Sequence, residues 1–365
     1  MKNQVLNLKT RVMNINKSTR SNAVTIGGIL IAYVVCTALI NSGNMSNLLR
    51  NLLVAMCYYS IMAVSLNLTV GILGQLSLGH AGFMCIGAFT GAFFSKITVN
   101  TINNTFIRFT LAILIGAVAA GLFGIFIGVV VLRLKGDYLA IVTLAFGEII
   151  KNVLNVFYIG YDSKGIHFSM KDTASLNLEE GGMVVVKGAQ GISGTPRNST
   201  FTIGVILLII TYLIIVNLVN SRSGRAIMAI RDNHIAAESV GIDITKYKIL
   251  AFSISAALAG VAGVLYSHNI ATVQSTKFGY NTSILILVFV VLGGMGNLRG
   301  SIIAAIILTV LPEYLRFMQD YRMLIYAIVL IVMMIFNWGP ACINWRKNHS
   351  LKDLTKKLMK AKKEA

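Results

Sequence analysis

The sequence predicts an all-α polytopic membrane protein of about ten transmembrane helices, some of them broken by glycine. Three observations predict it. Hydrophobic residues make up 56% of the 365 and charged residues only 12%, whereas soluble domains carry about 25% charged residues. Water cannot cover that many apolar side chains, so lipid must. Apolar runs of membrane-crossing length recur along the chain. The charge collects at the ends, with five cations and no acid in residues 1–22 and eight cations against two acids in 345–365. The formal charge of +19 therefore flanks apolar spans, where cytoplasmic cations gather, and no nucleic-acid partner is expected. Disorder and a collagen-like chain are excluded by the apolar content and by three prolines without a glycine period.

A helix needs roughly 20 apolar residues to cross the hydrocarbon. Ten runs qualify or come close, at 23–40, 48–70, 76–95, 109–132, 138–159, 201–219, 248–267, 283–293, 300–315 and 323–340. The first follows a long basic leader, and no small-x-small site follows Leu39-Ile40-Asn41, so an uncleaved helix is expected there. The third, eighth and ninth are short or interrupted by glycine. Starting inside, ten crossings place 21 Lys and Arg on the inner side and 10 on the outer, with Lys151 within a span. That bias puts both termini in the cytoplasm. The expected organisation is a basic tail over 1–22, a transmembrane domain over 23–340 and a second basic tail over 341–365. Only an outer segment, 160–200, and an inner one, 220–247, are sizeable, and neither has room for a catalytic domain.

No GxxxxGK[ST], HExxH or GxSxG occurs, and no His/Cys cluster has ligand spacing. No catalytic residue, metal site or cofactor of the chain's own is expected, so uphill movement must draw on another chain or on an ion gradient. The four cysteines, Cys36, Cys57, Cys85 and Cys342, lie in or beside apolar runs and read as small buried hydrophobes. Glu148 and Lys151 stand three apart on the fifth run, where they share a helix face. A neutralised structural pair and a cation relay both fit that spacing.

The most informative stretch runs from Gly71 to Phe83. Gly71, Gly74, Gly79 and Gly82, with Gln75, Ser77 and His80, interrupt an apolar run just after Asn67. Irregular backbone at membrane depth survives only where protein or a watery cavity surrounds it. A second break holds Gly293, Gly294, Gly296 and Asn297. Paired breaks point to a central site, and close packing through small residues is the alternative. His80 reads either as a packing residue or as a ligand. In the outer segment, Gly188, Gln190, Gly191, Gly194 and Pro196 are turn chemistry, suited to a gate or docking loop or to a plain connection. In the inner segment, Asp232 or Asn233 can cap a short helix from His234 to Val240, with Gly241 just past its end. Such a peg fits a partner's groove, and a solvated connector explains it equally.

Four strings in order, GQLSLGHAGF at 74–83, GAQGISGTP at 188–196, SRSGRAIMAIRDNHIAAESVGID at 221–243 with YKILAFSISAALAGVAGVLY at 247–266, and GGMGNLRGS at 293–301, resemble the LivM-type permease subunits of branched-chain amino-acid ABC transporters. The resemblance covers about residues 50–315. It implies the ABC-importer permease fold in a bacterial cytoplasmic membrane. The implied partners are a second homologous permease, two cytoplasmic ATPase subunits that hold ATP and Mg, and an extracellular or periplasmic substrate-binding protein. It further implies that Arg231, Asp232, Ala236, Ala237, Glu238 and Gly241 couple to the ATPases, with Ala237, Glu238 and Gly241 in an EAA-type motif. Asn67, Gly74, Gln75, Ser77, Gly79, His80, Gly293, Gly294, Gly296 and Asn297 then border the translocation path, and 188–196 forms an outer gate or docking loop. The implied solutes are Leu, Ile and Val. A permease for urea, short amides or another small polar solute has the same membrane motifs, and a gradient-driven carrier would need more carboxylates along its spans than Glu148 supplies.

Overall fold

The computed structural model describes residues 2–42, 46–99, 101–131, 137–162, 164–179, 181–316 and 321–338. The loop holding Arg133 and Lys135 and the basic tail 341–365 lie outside the described residues. In lipid each backbone amide must be satisfied inside its own segment, and the apolar runs accordingly form helices. These are α1 (Lys2–Asn41), α2 (Asn47–Asn67), α3 (His80–Ile97), α4 (Thr105–Val131) and α5 (Asp137–Val156). A strand-bearing segment follows, then α6 (Phe201–Asn220), α7 (Arg222–Asp232), α8 (His234–Ser239), α9 (Ile244–Ser267), α10 (Tyr280–Gly293), α11 (Leu298–Tyr314) and α12 (Arg322–Trp338). Side-chain caps fix several starts: Ser46, Thr200 and Asp243 accept from the backbone N–H three residues on.

Each of the ten expected runs contains a helix, but the fifth, expected over 138–159, ends its helix at Val156 and passes into strand at Tyr158. Seven segments are long and apolar enough to cross a membrane among the described residues. The expected third span starts at His80 rather than 76, because Gly74 turns the chain with φ +73°. The basic segment expected as a tail continues the helix of α1, and the amphipathic α7 precedes the short helix that the sequence indicates.

The chain forms two compact units, residues 1–306 and 307–365. In the second, the described part is the end of α11 and α12. In the first, α9 is the central helix, packed against α2, α3 and α4. Small residues make this possible. A Cβ on Gly87 would stand 2.3 Å from the Gly260 carbonyl oxygen, and one on Gly263 would stand 2.1 Å from that of Met84. The helix backbones themselves touch there, which is how membrane helices gain dispersion energy without a hydrophobic driving force. The opposite face of α4 exposes Phe106, Val118, Leu122 and Phe126, as lipid contact requires.

Between α5 and α6 the chain folds into a small antiparallel sheet of β1 (Tyr158–Asp162), β2 (Gly165–Ser169) and β3 (Met183–Lys187), in the order β2-β1-β3. Asp162 organises it. Its carboxylate accepts from the backbone N–H groups of Lys164 at 2.9 Å, Gly165 at 3.1 Å and Glu179 at 3.3 Å, and from His167 Nε2 at 3.1 Å. Burial alone would raise its pKa, but the Glu179 and Lys164 amides and His167 outweigh it and hold the carboxyl below its ordinary 3.8. The stabilisation is therefore fully present above about pH 4 and fades as pH falls through the depressed value. Asp162→Ala is expected to open this sheet to proteolysis after Lys164 and Lys171 at pH 7, with the rest of the bundle intact. Cleavage no faster than wild type would show that the carboxylate is not the organiser.

Candidate functional site

The two glycine breaks meet. α2 passes into a π-helical turn over Leu68–Ile72, closed by the Leu73 N–H on the Leu68 carbonyl. Opposite it, Gly294 and Gly296 take positive φ in the turn between α10 and α11. Asn67, fully buried, ties the two together: its Oδ1 accepts from the Gly296 N–H at 2.8 Å and its Nδ2 donates to Ser301 Oγ at 2.8 Å. The fit leaves no room at Gly71, where a Cβ would stand 1.9 Å from Asn67 Oδ1 and 2.1 Å from the Gly296 nitrogen. Asn297 braces the turn, its Oδ1 accepting from the Gly300 N–H at 3.3 Å. Gly293 packs its Cα against the Gly300–Ser301 backbone.

The rest of the first break goes elsewhere. The Leu78 N–H donates to Thr143 Oγ1 at 3.1 Å and the Ala81 N–H to Ser283 Oγ at 3.1 Å, while Gly79 lies against the Thr143 carbonyl. His80 is buried. Ser65 Oγ gives its proton to the Met62 carbonyl at 2.9 Å, so in the 2.8 Å contact between Ser65 Oγ and His80 Nε2 the imidazole donates. Of the two readings open for His80, the packed and satisfied one matches this geometry. Ser77 Oγ and Gln75 Oε1 are buried without a hydrogen-bond partner among the described residues. Such orphans call for water or a passing polar ligand.

The 220–247 segment reaches this break directly. Arg231, in the last turn of α7, donates from one terminal nitrogen to the Gly71 carbonyl at 3.1 Å. Its Nε and other terminal nitrogen bind Asp232 Oδ1 at 3.1 and 3.0 Å, and its stem covers Gly74, where a Cβ would stand 2.5 Å from Arg231 Cγ. Asn233, not Asp232, caps the short helix, accepting from the N–H groups of Ile235 and Ala236. In α8, Ala237 is buried while Ala236 and Glu238 are exposed, and Ile235 and Val240 are 69% and 74% exposed. Gly241 ends it with φ +83°. The element is a rigid peg with an apolar tip.

At the other end of α6, about 30 Å away for 20 residues, the 188–196 loop is strapped down. Ile192 and Ser193 form β4 and pair with β5 (Thr272–Val273). A Cβ on Gly191, whose φ is +68°, would stand 1.9 Å from the Val273 carbonyl oxygen. Thr195 Oγ1 donates to the Ile270 carbonyl at 2.9 Å and Lys96 Nζ to the Ser193 carbonyl at 3.0 Å. Gly188 also takes positive φ, against the Tyr158 ring. Gln190 and Gly194 are exposed, and Pro196 is half-buried. This loop is a fixed fitting on the end of α9 and not a loose connection.

Glu148 pairs with Lys151, and its Oε1 accepts the Tyr280 N–H at 2.7 Å at the start of α10. That is a structural pair capping a helix. Among the described residues no three His, Cys, Asp or Glu side chains gather as a metal site would require. The hydroxyls of Ser65, Thr143, Ser283 and Ser301, which hold the breaks in place, escape sequence reading. Their signal was a hydroxyl inside an apolar run, where each must find a partner.

Residues 48–334 match the family described as "Branched-chain amino acid transport system / permease component". The chain is 35% identical over 292 residues to the high-affinity branched-chain amino acid transport system permease protein LivM of Salmonella typhimurium, and 36% identical to that of Escherichia coli. Each alignment covers 77% of this chain and 66% of the relative, so the chain spans just under two thirds of their length. The ribose import permease protein RbsC of Escherichia coli is 26% identical over 84% of this chain and 91% of its own. No solved structure matches the chain.

Proposed function

This chain belongs to the family of branched-chain amino acid transport permease components, and on that premise we propose that it forms one wall of an ATP-driven importer's path for Leu, Ile and Val. In this reading a second permease completes the path, two ATPases dock on α8 and an extracellular binding protein delivers solute to the 188–196 end. Both termini are then cytoplasmic. ATP hydrolysis and its Mg belong to the ATPases, and this chain is not an enzyme.

The observation that carries the reading is the link from Arg231 to Gly71. The peg that a partner would push is joined, through the last turn of α7, to the backbone carbonyl of a broken helix. Displacement of α8 would reach the break through Asn233 and the last turn of α7, and the break is where backbone can change register at least cost. Ser77 Oγ and Gln75 Oε1, buried atoms without a partner among the described residues, lie on the adjoining irregular stretch, as a polar route needs. The basic-inside charge bias supports the orientation.

Uptake of labelled leucine by cells lacking this chain tests the solute. Uptake is expected to fall to background and to return with the wild-type gene, but not with Glu238→Arg, which still reaches the membrane. Unchanged leucine uptake with lost ribose or urea uptake would move the chain to another solute within the family. Full transport by Glu238→Arg would remove the docking role of α8.

A further inference from the structure

We propose that the cavity where the ends of α1, α2 and α6 come together holds the phosphodiester headgroup of an anionic lipid. The cavity is about 350 Å³. Its polar lining comes from several elements: Thr37 and Asn41 of α1, Arg50 and Asn51 of α2, Thr200 at the cap of α6, and Asn269 just beyond α9. Ile40, Val54 and Phe201 supply an apolar wall.

Its depth follows from the spans. The apolar segment Asn22–Asn41 ends here, and the segments Leu48–Ile72 and Phe201–Asn220 begin here, so the cavity lies where hydrocarbon gives way to headgroups. Lipid also reaches it from the side. The apolar window of α1 is 0% buried, and near the cavity α1 meets the bundle through Tyr33, whose ring stacks on Phe201 at 5.7 Å and whose hydroxyl lies 3.2 Å from Thr202 Oγ1.

The chemistry is that of an anion site. Arg50 lines the cavity, and among the described residues its guanidinium makes no ion pair and no hydrogen bond. No carboxylate lines the cavity, and the chain holds no Asp or Glu before Asp137, so α1, α2 and the loop that joins them have none to offer. Thr37 Oγ1 is buried without a hydrogen-bond partner among the described residues. At α6 the Thr200 hydroxyl takes the Ile203 N–H, which leaves the Phe201 and Thr202 N–H groups for an acceptor from outside the helix. A phosphodiester answers each of these: the planar guanidinium matches two of its oxygens at once, and hydroxyl and helix N–H groups take the rest. An ammonium headgroup would find no counter-charge, which selects a lipid with net negative charge. The apolar wall receives the first carbons of its acyl chains. A lipid seated there ties the end of α1 to α2 and α6.

The test is lipid retention by the purified full chain, measured by native mass spectrometry after mild delipidation from nanodiscs of equal phosphatidylglycerol and phosphatidylcholine. Wild type is expected to retain phosphatidylglycerol in preference, and Arg50→Gln to lower that retention about tenfold. Arg50→Lys, a charge without the planar fork, should fall between. Asn51→Glu, at an exposed position of the lining, sets a carboxylate beside Arg50 and should also release the lipid. Lys277→Gln removes an exposed cation from outside the lining and should leave retention unchanged. Equal retention of the two lipids by wild type, or undiminished retention of phosphatidylglycerol in both Arg50→Gln and Asn51→Glu, would overturn the proposal. So would an equal loss in Lys277→Gln, since surface charge alone would then account for the preference. Displacement of the lipid by millimolar inorganic phosphate would overturn it in favour of a soluble anion.

Discussion

Gly71→Ala is expected to unfold the break and abolish transport. The added methyl has no direction in which to relax. It would meet Asn67 Oδ1 at 1.9 Å and the Gly296 nitrogen at 2.1 Å, and the second of these is backbone in a turn whose positive φ angles at Gly294 and Gly296 leave it little freedom. Overpacking of this kind costs about 1–3 kcal/mol, and driving Asn67 off Gly296 orphans a buried donor for about 1–3 kcal/mol more. A sum of order 4 kcal/mol is a large part of the ~5–15 kcal/mol that holds a folded chain. The check is thermal unfolding in detergent alongside leucine uptake. Gly27→Ala is the control, since nothing lies within 4 Å of a Cβ there. A Gly71→Ala chain that melts with wild type would mean that the two breaks do not meet as described.

Arg231→Ala is expected to separate ATP hydrolysis from transport. The substitution removes a charge-assisted hydrogen bond to the Gly71 carbonyl and the stem that covers Gly74, and leaves α8 and its Asn233 cap untouched. A charge-assisted bond contributes about 1.5–3 kcal/mol, so coupled uptake should fall roughly 10- to 100-fold. ATP hydrolysis by the assembled transporter should persist, because the peg can still dock. Arg231→Lys, a point charge without the planar fork, should fall between. Wild-type uptake by Arg231→Ala would place the transmission elsewhere; loss of uptake and hydrolysis together would make Arg231 part of the docking surface.

Much of this was legible along the chain. Lipid leaves the backbone only helices for crossing, so ten apolar runs became ten helices, and the signals at Asp232-Asn233 and Gly241 marked where α8 begins and ends, while α7 and its Ser221 cap came from the structure. Both breaks were legible as glycine clusters too. Their meeting was not, because Asn67 and Gly296 are separated by 229 positions and nothing local encodes which helix a buried amide will find. The small sheet of the outer segment was hidden for another reason. Its strands are five residues long and held by one carboxylate, Asp162, rather than by an alternating apolar pattern.

Composition and the spacing of apolar runs were enough to determine a polytopic helical chain, its weak points and a capped peg between two spans, since these depend on solvation and on hydrogen bonds a few residues apart. The tertiary structure alone decided that Arg231 closes on Gly71, that His80 is a satisfied packing group and that Glu148 caps α10. Each of those is a contact between elements distant in sequence, and in a bilayer such contacts are selected by close packing and by the need of every buried polar atom for a partner, neither of which a linear pattern records.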